Sequence, residues 1–329
     1  MKVAIIGDGG WGTALAVLTQ SKGINTVLWG AFPENINQLI KKRENKKFLP
    51  GIKIPSEILI TNDLAQTLDQ ANLVVLAVPS QFMRGVLKKI AEYKLLKVGF
   101  LSVAKGIEAA TSKCMSEVIR EELGNVPLAA LSGPNIAYEV ARGIPSAAVC
   151  ASNNKKLAIM VQDIFMTPDF RVYTSQDMHG VELSGAFKNI IAIACGISDG
   201  LGFGTNTKSA LLTRGLVEIA RLGVSMGARN KTFHGLAGMG DLVTTCFSQR
   251  SRNRWFGEQI GSGKKMADIL SQTSMVVEGA LTTKTALKLA KKYRISLPIT
   301  QAVYKVLYQG AKPISAMHLL MQRQKKNEI

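Results

Sequence analysis

The sequence predicts an α/β N-terminal Rossmann-like domain with a mostly parallel sheet, followed by an all-α C-terminal domain. Three observations predict it. Lys2-Val3-Ala4-Ile5-Ile6 is a short apolar run that leads into glycines spaced G-x-G-x-x-G, at Gly7, Gly9 and Gly12, and then into an Ala/Leu-rich stretch. Strand-like runs alternate with helical periodicity as far as about residue 175. From Ser175 onward strand-like runs nearly vanish and helical periodicity takes over. The domains read from this pattern are 1–175 and 176–329.

The glycine turn comes first, and each glycine has a physical role. Gly7 allows the tight turn out of the strand. Gly9 lets a pyrophosphate approach the backbone. Gly12 lets the following helix pack close to the sheet. Free N–H groups and the macrodipole at that helix start favour an anion. A ligand-free strand-to-helix turn is the plain alternative. A strand before the glycines and a helix after them favour the dinucleotide reading.

Asn25 to Trp29 reads as the second strand. At its tip an NAD enzyme of this kind carries an acid for the ribose 2′-OH. Here Gly30-Ala31-Phe32-Pro33-Glu34 follows, and Glu34 comes after a proline. Room for a 2′-phosphate is therefore slightly favoured, although no arginine is placed to grip one. Residues 35–70 hold a helix-like segment, a basic loop and a turn at Phe48-Leu49-Pro50-Gly51. Further strands are expected in Asn72 to Ser80, Val98 to Gly106, Pro127 to Asn135, Ser146 to Ala151 and Phe170 to Thr174. Lys105 falls at a strand end, where such sheets bind ligands. A surface lysine in a turn is an equal alternative.

In the second half a long helix is expected from near Ser175 to Ile197. Ser184, Gly185, Lys188 and Ala192 share one face of it. Small residues around a lysine leave space for a ligand, but close helix packing explains the spacing better. Gly200 to Gly204 breaks the helix, and Asn206 is the expected N-cap of the next. A glycine-rich turn from Gly235 to Gly240 leads to Asp241. Ser251-Arg252-Asn253-Arg254 opens another helix, where Arg252 beside a free N-terminus makes a phosphate cradle. The polar tail Gln322 to Ile329 is expected to fray.

Composition narrows the function classes. A chain of 329 residues with 47% hydrophobic and 19% charged residues is folded, not disordered. The net charge of +18 admits nucleic acid, acidic membrane surfaces or anionic small ligands as partners. The lysines are scattered, as in Lys41-Lys42-Arg43 and Lys264-Lys265, with no aromatic-interleaved patch, so no nucleic-acid partner is expected. No uninterrupted apolar run spans a membrane and the N-terminus reads as a strand, so a cytoplasmic protein is expected. Cys114, Cys150, Cys195 and Cys246 form no C-x-x-C pair and read as buried reduced thiols. His179, His234 and His318 are far apart in sequence, and no metal is expected.

Motifs along nearly the whole chain resemble the bacterial NAD(P)-dependent glycerol-3-phosphate dehydrogenase family. They are Gly7-Asp8-Gly9-Gly10-Trp11-Gly12-Thr13-Ala14-Leu15-Ala16, Ala77-Val78-Pro79-Ser80, Lys105-Gly106, Ser132-Gly133-Pro134, Gly185-Ala186-Phe187-Lys188-Asn189, Gly238-Met239-Gly240-Asp241-Leu242, Ser251-Arg252-Asn253 and Val277-Glu278-Gly279. The resemblance implies reversible reduction of dihydroxyacetone phosphate to sn-glycerol 3-phosphate by NADPH or NADH. It also implies substrate between the two domains, a supply role in phospholipid synthesis and a homodimer. Carried over by position, Lys188 is the catalytic acid/base. Lys105, Gly133, Asn135, Asp241, Ser251, Arg252 and Asn253 join Lys188 in binding substrate. Gly7, Gly9, Gly10, Trp11, Gly12, Lys105, Ala137, Arg252, Val276 and Glu278 contact the cofactor. Three positions depart from the family's pattern. Gly10 stands for a frequent serine, Asn135 for Ser or Thr, and Ala31 for the His or Arg that often reads a 2′-phosphate.

The chemistry suits these residue types. Hydride transfer to a ketone builds negative charge on its oxygen, and a lysine can donate the proton needed there. Asp241 either orients Lys188 or accepts a substrate hydroxyl. The rival readings are another two-domain hydroxyacid or opine-type dehydrogenase and, in a different class, a nucleotide-sensing or nucleic-acid-binding protein.

Overall fold

The computed structural model describes residues 1–95, 97–272, 276–325 and 327. Two compact units divide the chain, Met1–Glu182 and Leu183–Ile329.

Unit one is built on eight strands: β1 (Lys2–Ile6), β2 (Asn25–Trp29), β3 (Leu59–Thr61), β4 (Leu73–Leu76), β5 (Gly99–Ser102), β6 (Leu128–Ser132), β7 (Ser146–Ala151) and β8 (Phe170–Ser175). They lie in one sheet in the order β3-β2-β1-β4-β5-β6-β7-β8. Every neighbouring pair is parallel except β6 with β7. The helices of this unit are α1 (Gly10–Gln20), α2 (Pro33–Lys42), α3 (Leu64–Leu68), α4 (Ser80–Ala91), α5 (Met115–Leu123), α6 (Ala137–Ala141) and α7 (Lys155–Phe165). A parallel sheet covered on both faces needs continuous apolar strands. Accordingly Val3 to Ile6 and Leu73 to Leu76 are fully buried. The chain reverses its direction of strand addition between β1 and β4, and a ligand crevice opens at the carboxyl ends of such a pair. The glycine turn follows β1 at that place.

The strand β3 escapes sequence reading because three residues carry no periodic signal. Its partner register, Val27 opposite Leu59 through Trp29 opposite Thr61, supplies what the sequence lacks.

Unit two contains most of α8 (Met178–Gly200), then α9 (Thr205–Ser225), α10 (Asn230–Phe233), a π-helical turn at Leu236–Gly240, α11 (Asp241–Phe247), α12 (Arg252–Gly261), α13 (Met266–Ser271), α14 (Glu278–Tyr293), α15 (Pro298–Tyr308) and α16 (Pro313–Met321). No strand follows β8 among the described residues. By length and composition alone α8 could cross a membrane, with a mean hydropathy of 1.3 over its apolar window. That window is wholly buried inside the protein, as in the core helix of a folded domain.

Asn206 does not cap α9. Gly204 holds the N-cap position in an extended conformation, and Asn206 lies within the first turn. Ser251 does cap α12, its Oγ accepting the backbone N–H of Arg254 at 3.2 Å. In the polar tail, Lys326, Glu328 and Ile329 lie outside the described residues.

The start of α12 is fixed by a glycine crossing with α8. A Cβ on Gly196 would sit 2.0 Å from the Arg254 carbonyl oxygen. One on Gly257 would sit 2.1 Å from that of Ile193, and one on Gly261 2.3 Å from that of Ile197. Gly196 with Gly200 and Gly257 with Gly261 are both four residues apart, so each pair lines one face of its helix. Backbone packs on backbone there, and any side chain would force the helices apart. Asp199 of α8 adds an ionic tie. It accepts Arg254 Nε at 2.7 Å and Lys208 Nζ at 2.6 Å.

Candidate active site

In unit one the backbone shapes the site. Gly7 has φ +119°, and a Cβ there would meet the Ala77 carbonyl oxygen at 2.6 Å. A Cβ on Gly12 would lie 1.9 Å from the Gly7 carbonyl oxygen. Gly9 differs, with no atom of the described residues within 4 Å of its missing Cβ. The turn is therefore closed on its protein side and open where a pyrophosphate would approach the start of α1, which fits a dinucleotide. Gly10 has its own constraint, because a Cβ would meet the Phe48 carbonyl oxygen at 2.6 Å. Trp11 packs half-buried against the core. Asn45, buried and overlooked in the sequence, locks this corner. Its Nδ2 donates to the Asp8 carbonyl oxygen and to Thr13 Oγ1, both at 2.8 Å.

Lys105 and Gly133 leave the adjacent strands β5 and β6 and meet. Lys105 Nζ donates to the Gly133 carbonyl oxygen at 2.8 Å. Asn135 Nδ2 donates to the Ala147 carbonyl oxygen at 2.9 Å, while its buried Oδ1 has no hydrogen-bond partner among the described residues. Ala137 opens α6 and packs near Ala14 of α1.

In unit two side chains make the site. Lys188 on α8 is buried, with Nζ 2.6 Å from Asp241 Oδ1, and it also donates to Thr245 Oγ1. Asp241 opens α11 and Thr245 lies one turn on, so both face the lysine. Of the two roles open to Asp241, contact with Lys188 is the one observed here. Thr245 was missed in the sequence, although its i+4 spacing from Asp241 on a helix was a usable signal.

A second chain of contacts starts at the next residue. Asn253 Nδ2 donates to Asn189 Oδ1 at 3.0 Å, and Asn253 Oδ1 accepts the Gly279 N–H at 3.0 Å. A Cβ on Gly279 would press on the Asn189 carbonyl oxygen at 2.7 Å, which explains the glycine. The start of α12, the start of α14 and the lysine-bearing turn of α8 are thereby joined. Glu278 is buried at the first position of α14, and Val276 is half-buried two residues before it. Arg252 remains open to solvent. Desolvation by surrounding protein nevertheless lowers its pKa, against the opposing pull of Glu278. A solvent-exposed guanidinium at a helix N-terminus suits an anion.

Cys114, His179 and Glu182 come together, their ligand-type atoms within 4.8 Å of one another. Burial pushes the Glu182 carboxyl up to about 7. It accepts the Ser116 N–H at 2.8 Å and the Ser116 hydroxyl at 2.5 Å, which holds the start of α5.

Comparison with known proteins agrees over the whole chain. Residues 2–158 match the model described as "NAD-dependent glycerol-3-phosphate dehydrogenase N-terminus", and residues 177–318 match that of the same enzyme's C-terminus. The chain is 49% identical over 331 residues to a "Glycerol-3-phosphate dehydrogenase [NAD(P)+]" of Syntrophomonas wolfei, covering 100% of this chain and 96% of that protein. It is 46% identical to a protein of the same name from Fusobacterium nucleatum, covering 100% and 99%. The crystal structure of a glycerol-3-phosphate dehydrogenase from Coxiella burnetii superposes with a TM-score of 0.95 at 37% identity, covering 98% of this chain and 99% of that one.

Proposed function

Because the chain belongs to the NAD-dependent glycerol-3-phosphate dehydrogenase family, we propose that it reversibly reduces dihydroxyacetone phosphate to sn-glycerol 3-phosphate, with Lys188 as its acid/base. The observation that carries the reading is the buried Lys188 held by Asp241 and Thr245, one residue from the Asn189–Asn253 contact.

When bound, the nicotinamide cofactor supplies the hydride to the ketone carbon. Lys188 Nζ gives a proton to the ketone oxygen, so that C=O becomes CH–OH; in the reverse direction it takes that proton back. Asp241 and Thr245 fix the amine, which saves reorganisation during proton transfer. Ser251, Arg252 and Asn253 hold the substrate phosphate, Arg252 by charge and the start of α12 by its N–H groups. Gly7, Gly9, Gly10, Trp11 and Gly12 hold the cofactor pyrophosphate. Lys105 touches both substrate and cofactor, Gly133 and Asn135 line the substrate side, and Ala137, Val276 and Glu278 border the cofactor. Phosphate binding energy, made far from the reacting carbon, positions the carbonyl. The product is the backbone of glycerophospholipids, so the enzyme serves their synthesis, in the cytoplasm and as a homodimer.

The test is direct. Purified protein is mixed with dihydroxyacetone phosphate and NADH or NADPH, and loss of nicotinamide absorbance is followed. Unphosphorylated dihydroxyacetone serves as the comparison. Turnover that depends on the phosphate supports the reading; equal turnover of both substrates refutes the phosphate roles, and none with either refutes the whole.

A further inference from the structure

The strand β2 carries no acid at its tip, yet an acid is there. The position that a Gly30 side chain would take is filled by Asp8: its Cγ and Oδ2 each lie 2.6 Å from where a Cβ would sit. Asp8 comes from the glycine turn, between Gly7 and Gly9, and not from β2. It is held from two sides. Asn35 of α2 donates its Nδ2 to Asp8 Oδ2, and Asn45 donates to the Asp8 carbonyl oxygen. Asp8 Oδ1 has no hydrogen-bond partner among the described residues, and the side chain is only partly buried. No lysine or arginine pairs with this carboxylate among the described residues. Arg43 is committed elsewhere, its Nη1 donating to the carbonyl oxygens of Ile58 at 2.7 Å and Pro55 at 3.2 Å. Ala31, next to Gly30, offers no cation either.

We infer that Asp8 determines cofactor specificity, standing in for the missing strand-end acid and favouring NADH over NADPH. The tip of β2 is where a dinucleotide-binding sheet meets the adenosine ribose. A carboxylate with an open oxygen accepts a hydrogen bond from a 2′-hydroxyl. The same carboxylate repels a 2′-phosphate, which carries close to two negative charges, and no lysine or arginine pairs with it among the described residues to neutralise it. Discrimination arises from both an attraction to one cofactor and a repulsion of the other. A side chain at Gly30 would press on that carboxylate and on Ile36 Cδ1, 2.7 Å from where its Cβ would sit. This inference rests on the dinucleotide reading of the glycine turn, and the experiment separates the two.

Dissociation constants for NADH and NADPH are measured by quenching of tryptophan fluorescence, with the 329-residue chain and no substrate. Adenosine 5′-monophosphate and adenosine 2′,5′-bisphosphate serve as competitors. We expect the wild type to bind NADH more tightly than NADPH by at least ~10-fold, the scale of one charge-assisted hydrogen bond gained or lost. Asp8→Ser should reduce that ratio by about as much, chiefly by tightening NADPH and the bisphosphate. Asp8→Asn keeps the shape without the charge and should move the ratio in the same direction, which guards against a misfolded serine variant. Wild type that binds both cofactors, with a ratio unmoved by either substitution, overturns the role of Asp8 and leaves the dinucleotide site standing. Wild type that binds neither overturns both.

Discussion

Around β1, unit one is shaped chiefly by backbone, whereas around α8 unit two is shaped by hydrogen-bonded side chains. Around β1, absent side chains do the shaping: Gly7 and Gly12 let strand, turn and helix close together, while Gly9 leaves the approach open. Around α8, Lys188 with Asp241 and Thr245, and the adjacent Asn189 with Asn253, form two hydrogen-bonded groups whose members come from three helices. A pyrophosphate contacted by N–H groups needs close approach to the backbone, which glycine provides. A proton moved to one oxygen atom needs a single amine in a defined place, which only anchored side chains provide. Glycine recurs in unit two for another purpose, since Gly196 and Gly257 let the backbones of α8 and α12 pack directly together.

That contrast can be broken by mutation, and the largest effect is expected at the amine. Lys188→Ala should lower kcat by at least ~10²-fold while dinucleotide binding persists. Steady-state rates and fluorescence quenching check both halves, and near-normal turnover would remove the lysine from the chemistry. Arg252→Ala should raise the KM for dihydroxyacetone phosphate by roughly 10- to 100-fold, the scale of a lost charge-assisted contact. A KM that stays put argues that the phosphate is held elsewhere.

The two kinds of glycine should separate in denaturation. Gly257→Ala puts a methyl group against the Ile193 carbonyl oxygen and should cost about 1–3 kcal/mol of stability. Gly9→Ala meets no atom of the described residues, so stability should hold while the KM for the dinucleotide rises. Urea midpoints and cofactor titrations of the pair decide whether packing and ligand access are assigned to the right glycines.

The smallest effects concern two carboxylates. Glu108 in unit one is gripped by both Nε and Nη2 of Arg84, at 2.8 Å each, and its pKa is lowered chiefly by that contact. Its stabilisation is complete above the ordinary carboxylate value, near 4.3 by convention, and is lost as pH falls toward the depressed one. Glu218 in unit two caps α15, accepting the N–H groups of Ile299 and Thr300 at 2.8 Å, yet burial raises its pKa. Its contribution has the opposite sign: stability declines as pH rises from the ordinary value to the raised one. Glu108→Gln should therefore flatten the acid limb of a stability–pH curve, and Glu218→Gln should remove a decline just above it. The same change in both limbs would show that the two environments do not differ as described.

Some of the site was legible in the chain because the signals are local. The G-x-G-x-x-G turn lies between a strand and a helix that are both contiguous with it. Ser251 as a cap needs only its own helix. Asp241 and Thr245 share a face through helical spacing alone, a signal that was present and unused. The GxxxG-spaced pairs Gly196/Gly200 and Gly257/Gly261 were equally visible as spacings. What no spacing revealed is that the two pairs cross, and that they seat the start of α12.

By itself the sequence determined the α/β-then-α order, the place of the glycine turn and the residue types able to carry a reduction, because each depends on neighbours within a few turns of chain. The tertiary structure alone decided which side chains meet: Lys188 with Asp241, Asn253 with Asn189, and Asp8 at the bare tip of β2. The reason is geometric. Sequence order puts a ribose-binding acid along β2, but a residue's neighbours in a parallel sheet come from other strands and turns, and Asp8 reaches Gly30 only once β1 and β2 lie side by side.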